Sequence, residues 1–232
     1  MTACTEDAPA PAPAPGAERR RSASDLKILR AAKELFLADR YAGVSLERVA
    51  ERAGVSRQTV YNRFGSKEAV FREMVRDHWA AFAAFADQDR RPAGDGEDGE
   101  GAGAEEVLRA FARSLRRFAD ETDQILFARL VVAESARLPW IADEFHRLGK
   151  GPVVAAFTER LDALVRAGRL HCPDTRLAAR QFMGLVQEFL VWPRVMAFTE
   201  ETAEGPGPDV VIDEAVRTFL ARYAAPGEVG PA

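Results

Sequence analysis

The chain has 232 residues, 47% of them hydrophobic, with 32 Lys plus Arg against 36 Asp plus Glu and a formal net charge of −4. That is enough apolar material for a sizeable core in one large or two modest domains. Its two cysteines, Cys4 and Cys172, exclude a disulfide framework or cysteine metal cluster, and no apolar run approaches the roughly 18 residues of a membrane span. A cytoplasmic protein without cofactor or metal is expected.

The near-neutral total conceals an asymmetry. Residues 19–76 carry 14 Lys plus Arg against 7 Asp plus Glu, a net of +7, while the remainder carries 18 against 29, a net of −11. A basic end of this kind meets a polyanion, and an acidic remainder turns that end toward it.

In chain order, residues 1–21 form an Ala/Pro/Arg tail, expected to be disordered, that closes on Arg19, Arg20 and Arg21. These arginines are either a solvated run or an arm reaching a nucleic-acid groove or backbone. Ser22 or Ser24 caps a first helix to about Ala38, with Ile28, Leu29, Ala32, Leu35 and Phe36 on one face. After the turn at Tyr41–Gly43, Ser45 caps a short second helix through Ala53. Gly54 suits the left-handed residue that closes it. Ser56 then caps a third helix to Phe64. Val60 and Phe64 give this helix one buried edge and leave Arg57, Gln58, Thr59, Tyr61, Asn62 and Arg63 on the surface.

That third segment is about as long as the B-DNA major groove is wide, roughly 12 Å. Arg57 and Gln58, with Tyr61 and Asn62 beside them, are the residue types that read base edges. Thr59, Arg63 and Lys67 are types that hold phosphates. Lys67 stands at the start of a fourth helix, where a cation is locally unfavourable unless an anion lies near it.

The run from Val44 to Phe71, VSLERVAERAGVSRQTVYNRFGSKEAVF, resembles the N-terminal domain of TetR-family transcriptional regulators. The resemblance covers about Ser22 to Val75. It implies a three-helix helix-turn-helix domain at residues 22–66 that binds double-stranded operator DNA, with a phosphate contact from the cap at Ser45 and with Ser56 among the DNA-binding residues.

Residues 67–225 read as an all-α ligand-binding and dimerisation domain with a solvated, flexible loop at 87–103, followed by a tail at 226–232. The fourth helix is expected from Ser66 to Phe85. Later helices are expected over Glu105–Ala119, Thr122–Ala136, Pro139–Leu148, Pro152–Ala167, Asp174–Ala197 and Asp209–Tyr223, with stops at Gly149 and Gly168 and a kink at Pro193. The run Ala128 to Pro139 also resembles ligand-binding domains found in part of the TetR family. In the helix from Asp174, two apolar stripes together span about half the circumference, more than the one-sided arc of about 100°. They call for two partners. One is the chain's own core; the second is taken as another copy, through Met183, Val186, Leu190, Ile212, Val216 and Phe219.

For an effector, the expected lining is Phe111, Phe118, Phe127, Trp140, Phe182 and Phe189, with His146, Gln181 and Glu188 to orient it. Enzymatic chemistry is not expected, because His78, His146 and His171 are widely separated and no phosphate loop or Gly-x-Ser-x-Gly is present. The resulting expectation is a dimeric repressor that binds a palindromic operator and is released by a small apolar or aromatic molecule. The alternative is a DNA-binding scaffold without an effector.

Overall fold

A computed structural model describes residues 22–88, 103–199 and 205–226. The N-terminal tail, most of the 87–103 loop and the last residues lie outside these. Among the described residues the chain is all-α, with α1 Ala23–Asp39, α2 Leu46–Ala53, α3 Arg57–Phe64, α4 Lys67–Gln88, α5 Ala104–Glu121, α6 Gln124–Ser135, α7 Pro139–Phe145, α8 Gly151–Arg166, α9 Thr175–Leu190, α10 Trp192–Val195 and α11 Pro208–Tyr223.

The first three helices form where their caps place them. Ser22 and Asp25 make a reciprocal capping box on α1, so Ser22 rather than Ser24 begins the helix. Ser45 caps α2, and Gly54, at φ 66°, closes it with its N–H on the Ala50 and Glu51 carbonyls. That left-handed backbone is the conformation a side chain disfavours. It turns the chain sharply into α3, which Ser56 caps.

Two cores share one helix. The first joins α1, α2 and α3 to the start of α4 and takes in Phe127, Leu130, Val131 and Ile141 from α6 and α7. Its centre is aromatic: Phe71 meets Phe36, Tyr41 and Trp140 edge-on and stacks on Phe127. The second core packs α5, α8, α9 and α11 around Phe111, Phe157, Phe182 and Phe219, with Phe111 and Phe157 stacked at 3.7 Å. Helix α4 contributes Val70, Phe71, Met74 and Val75 to the first core and Phe82 to the second. A Lys33–Asp123 ion pair of 2.8 Å adds a polar tie between α1 and the α5–α6 corner.

Three expectations are corrected. Gly149 does not stop a helix: His146–Lys150 forms a π-helical turn that runs directly from α7 into α8. Gly149 is needed there because the Trp79 indole lies on its Cα, where any Cβ would overlap the ring. Gly149→Ala is therefore expected to displace Trp79 and cost about 1–3 kcal/mol, read as a lower denaturation midpoint with unchanged slope.

The helix expected to kink at Pro193 instead breaks at Val191, and α10 begins with Pro193 in its first turn. Finally, Met183, Val186, Ile212, Val216 and Phe219 are all at most 4% exposed, in the core of their own chain. Leu190 is packed against that core as well. Both stripes of α9 are thus met internally as far as Val186, by α5, α8 and α11, while Phe189 at the helix end is 53% exposed. What α9 exposes is a third line, Leu177, Gln181, Gly184 and Glu188.

Candidate nucleic-acid interface and internal cavity

Helix α3 projects a polar face whose side chains are ordered by one another. Arg57 reaches back to Glu47 of α2 at 2.8 Å and lies over the Tyr61 ring at 5.1 Å. Gln58 donates from Nε2 to Asn62 Oδ1 at 2.7 Å, and the Ser56 and Thr59 hydroxyls are 2.8 Å apart. All these groups except Thr59 are exposed. The Arg57, Gln58, Tyr61 and Asn62 side chains form one contiguous patch of donors, acceptors and an aromatic ring. The Tyr61 hydroxyl, then the Glu47 carboxylate, hold the Arg57 guanidinium above its ordinary pKa, so it remains a cation.

Three of the proposed phosphate holders are already engaged. Arg63 donates to Asp25 Oδ2 at 3.3 Å, joining the end of α3 to the cap of α1. Lys67 places Nζ 3.0 Å from both the Tyr41 and Val44 carbonyl oxygens, and 4.3 Å from the centre of the Tyr41 ring. The cation at the start of α4 is thus compensated by the α1–α2 turn. Partial burial lowers its pKa, while the Glu134 carboxylate acts in the opposite direction. Ser45 spends its hydroxyl on the Arg48 N–H at 3.3 Å.

The second site lies between the two cores. A cavity of about 190 Å³ is walled by Trp79 of α4, Leu115 and Phe118 of α5, and Gln124, Val131 and Val132 of α6. Phe145 of α7, Lys150 of the π turn, Val153 of α8, Met183 and Gln187 of α9, and Trp192 of α10 also line it. It opens beside Val132 and Trp192, which are 56% and 41% exposed. Arg129 of α6 donates to the Val195 and Arg194 carbonyls, fixing α10 over the cavity. A groove of about 410 Å³ at the α5–α6 corner is larger but is open surface. Most of its charged groups are already engaged, Arg194 with Asp120, Asp123 with Lys33, and Arg129 with the Val195 and Arg194 carbonyls.

Of the residues expected to contact an effector, the structure brings only Phe118 to the cavity. Phe111 and Phe182 fill the second core, Phe127 and Trp140 belong to the first, and Phe189, Glu188, His146 and Gln181 face solvent, Gln181 accepting from the Tyr223 hydroxyl at 2.6 Å. Periodicity ranked side chains by burial. A cavity is the space that packing leaves unfilled, and no single-helix pattern reports it. Trp79, Gln124, Lys150 and Gln187 went unselected; the signal that could have found them is Trp79 together with Gly149, a large ring and the one residue that admits it.

Behind the cavity wall is His78, 3% exposed, stacked on Phe127 at 4.5 Å and tilted against Phe118 at 5.0 Å. Nε2 lies 2.8 Å from Gln124 Oε1, an acceptor, so Nε2 carries the proton; buried Nδ1 has no partner. Burial pushes the imidazole pKa down to about 4, a shift the Gln124 bond only partly opposes.

Fold and surface together define a helix-turn-helix DNA-binding transcriptional regulator, with a helical domain attached through α4. The chain belongs to the TetR family. Residues 28–74 match the model for bacterial regulatory proteins of the tetR family, and residues 106–225, half of the chain, match the C-terminal domain of AefR-like transcriptional repressors.

Over 54 residues the chain is 39% identical to the HTH-type transcriptional regulator AlkX of Mycobacterium tuberculosis, a match spanning 23% of this chain and 26% of that protein. The flavonoid-responsive regulator FrrA superposes with a TM-score of 0.68 at 29% identity, covering 87% of this chain and 97% of FrrA. A TetR-family regulator from Pseudomonas syringae gives 0.65 at 26% identity, with 87% and 97% of the two chains covered. FadR of Bacillus subtilis, solved with stearoyl-CoA, shares the fold at 0.63 and 16% identity over 84% of this chain and 97% of its own. The family and these relatives are regulators, not enzymes. No described helix is long and apolar enough to cross a membrane.

Proposed function

We propose that this regulator is an effector-responsive repressor that binds a palindromic operator as a homodimer and is released when a small apolar or aromatic molecule enters the cavity against Trp79. The observation that carries this reading is the position of Trp79. It lines the cavity and sits on α4, the helix that also builds the core beneath α2 and α3. A molecule that moves Trp79 or α6 acts on the element that holds the reading helix. FrrA, named for its response to flavonoids, and FadR, solved with stearoyl-CoA, support ligand response in this fold. The test is affinity for ligand with and without operator. Coupling is reciprocal and typically about 1–3 kcal/mol, so equal affinities would leave a DNA-binding scaffold with no switch.

In this reading Arg57 and Gln58 read bases with Tyr61 and Asn62 beside them, while Ser45, Ser56, Thr59, Arg63 and Lys67 hold the backbone. Arg57→Ala is expected to relax base preference at one position and cost about 1–3 kcal/mol, whereas Lys67→Ala weakens binding to all sequences and flattens the salt slope by about one. Competition between operator and random DNA at several salt concentrations reads both. Equal losses on the two DNAs for both variants would remove the assignment.

The dimer face is assigned to the exposed line of α9, Leu177, Gln181, Gly184 and Glu188, and to the exposed side of α11, Val210, Glu214, Arg217 and Ala221. Gly184 supports this: its Cβ position meets nothing within 4 Å, yet a mid-helix glycine costs about 1 kcal/mol relative to alanine. The absent side chain leaves room for another helix to approach closely.

A further inference from the structure

We propose that the effector is an apolar monocarboxylate of about single-ring size, held by its body in the cavity and by its carboxylate between Lys150 and the Trp79 indole N–H. This inference rests on the cavity being the effector site and adds the chemical class of the ligand.

Most polar groups of the cavity agree in kind; Gln187 alone offers a carbonyl acceptor beside its amide donors. Trp79 Nε1 is buried and has no hydrogen-bond partner. An indole N–H can only donate, and a buried donor left unpaired costs free energy that an incoming acceptor would recover. Lys150 also lines the cavity and has no hydrogen bond or ion pair to any described residue. Gln124 has its oxygen on His78 Nε2, which leaves its amide N–H groups to offer. No carboxylate lines the cavity. Apart from the Gln187 carbonyl, the site therefore presents donors and one cation with no carboxylate partner to an occupant otherwise held by Phe118, Val131, Val132 and Met183, an arrangement that favours an apolar body with an anionic, acceptor-bearing end.

The two donors are neighbours for a structural reason. The π turn His146–Lys150 puts Gly149 under the Trp79 indole, with Nε1 the atom nearest the place a Gly149 Cβ would take and Lys150 as the next residue. Single π turns interrupt α-helices at some cost in hydrogen-bond geometry and recur at functional sites. Here the turn places Lys150 next in sequence to the glycine packed on the indole, and Trp79 and Lys150 both line the cavity. Volume limits the rest of the ligand. At about 190 Å³, the cavity somewhat exceeds the roughly 150 Å³ apolar cavity that accepts benzene, so it takes one ring with a short substituent, or a short acyl chain of similar bulk.

The experiment uses two matched pairs, 4-methylbenzoate with 4-methylbenzamide and hexanoate with hexanamide, titrated calorimetrically into the full chain at neutral pH, where both acids are ionised. Within at least one pair the acid is expected to bind about tenfold more tightly than its amide. Lys150→Gln should bring the two affinities together, and Lys150→Arg should keep most of the preference. Trp79→Phe should reduce acid affinity several-fold more than amide affinity. Amides that bind as well as their acids in both pairs, a preference that survives Lys150→Gln, or no binding by either pair would overturn the proposal. Operator affinity, measured alongside, separates the two readings. Release by the amides as strongly as by the acids leaves effector response standing and removes the acid; acid binding without any change at the operator keeps the acid and removes the switch.

Discussion

Gly184→Arg is expected to leave the fold intact and reduce operator affinity by on the order of 10²-fold to 10⁴-fold, whereas Val186→Glu, two residues further along α9, is expected to unfold the chain. The difference lies in which side of the helix each residue occupies. Gly184 is exposed with open space at its Cβ, and Val186 is 0% exposed within the core around Phe182 and Phe219. Arginine is a better helix former than glycine by somewhat less than 1 kcal/mol, so the monomer should become slightly more stable. A bulky cation on the proposed dimer face prevents close approach of a second α9. Two linked reading heads gain about 10²- to 10⁴-fold over one, and that gain is what the variant forfeits. A glutamate at position 186 has no cation to meet in an apolar core, and an uncompensated buried charge costs about 3–5 kcal/mol, much of a typical domain's stability of about 5–15 kcal/mol. Sedimentation and denaturant unfolding on the same samples separate the outcomes. A Gly184→Arg protein that remains dimeric and binds operator normally would move the interface elsewhere.

Acid is expected to destabilise the protein through His78 by up to about 3 kcal/mol. The imidazole pKa is depressed to about 4 in the fold against about 6.5 in the unfolded chain. Between those values the unfolded chain binds the proton and the fold does not, so the fold loses stability as pH falls. Above about pH 6.5 His78 contributes no pH dependence; from there down to about pH 4 stability falls, and below pH 4 the loss from this residue levels off because the folded form is protonated too. Converted at about 1.4 kcal/mol per pH unit, the window amounts to about 3 kcal/mol. His78→Gln keeps a polar group of similar reach for Gln124 and cannot titrate. Its unfolding free energy between pH 7 and pH 4 should fall by about 3 kcal/mol less than that of the wild type, and identical pH profiles for the two proteins would show that His78 is not held neutral. The same titration bears on function, because His78 orients Gln124 of the cavity wall and stacks on Phe127 beneath the reading domain. Loosening of operator binding is expected to begin in the same pH range.

How much of this was legible in the sequence differs between the two sites. The α1–α4 segment was readable because its determinants are local. Ser22, Ser45 and Ser56 cap helices three residues ahead of the N–H groups they satisfy, Gly54 supplies a backbone conformation that side chains disfavour, and the exposed residues of α3 follow from its single buried edge. None of these requires knowledge of a distant part of the chain. Even here the side-chain pairings stayed hidden: Arg57 to Glu47, Arg63 to Asp25 and Lys67 to the Tyr41 and Val44 carbonyls span 10, 38 and 26 residues at most, and nothing in a helical period encodes them.

By itself the sequence determined the all-α class, the reading head with its basic charge, and the existence of two apolar stripes on α9, because hydrophobic period, capping residues and net charge are properties of contiguous residues. Only the tertiary structure decided what those stripes meet. A helical wheel gives the angle of a buried face but not the identity of its partner, and up to Val186 both stripes of α9 went to α5, α8 and α11 of the same chain. Tertiary packing also decided that Gly149 carries a helix onward instead of ending it, because the Trp79 ring, 70 residues earlier, occupies the place of its side chain. And it decided the cavity, which is bounded by eight helical elements and belongs to none of them: a void is defined by where packed surfaces fail to meet, and that is fixed only when every helix is in place.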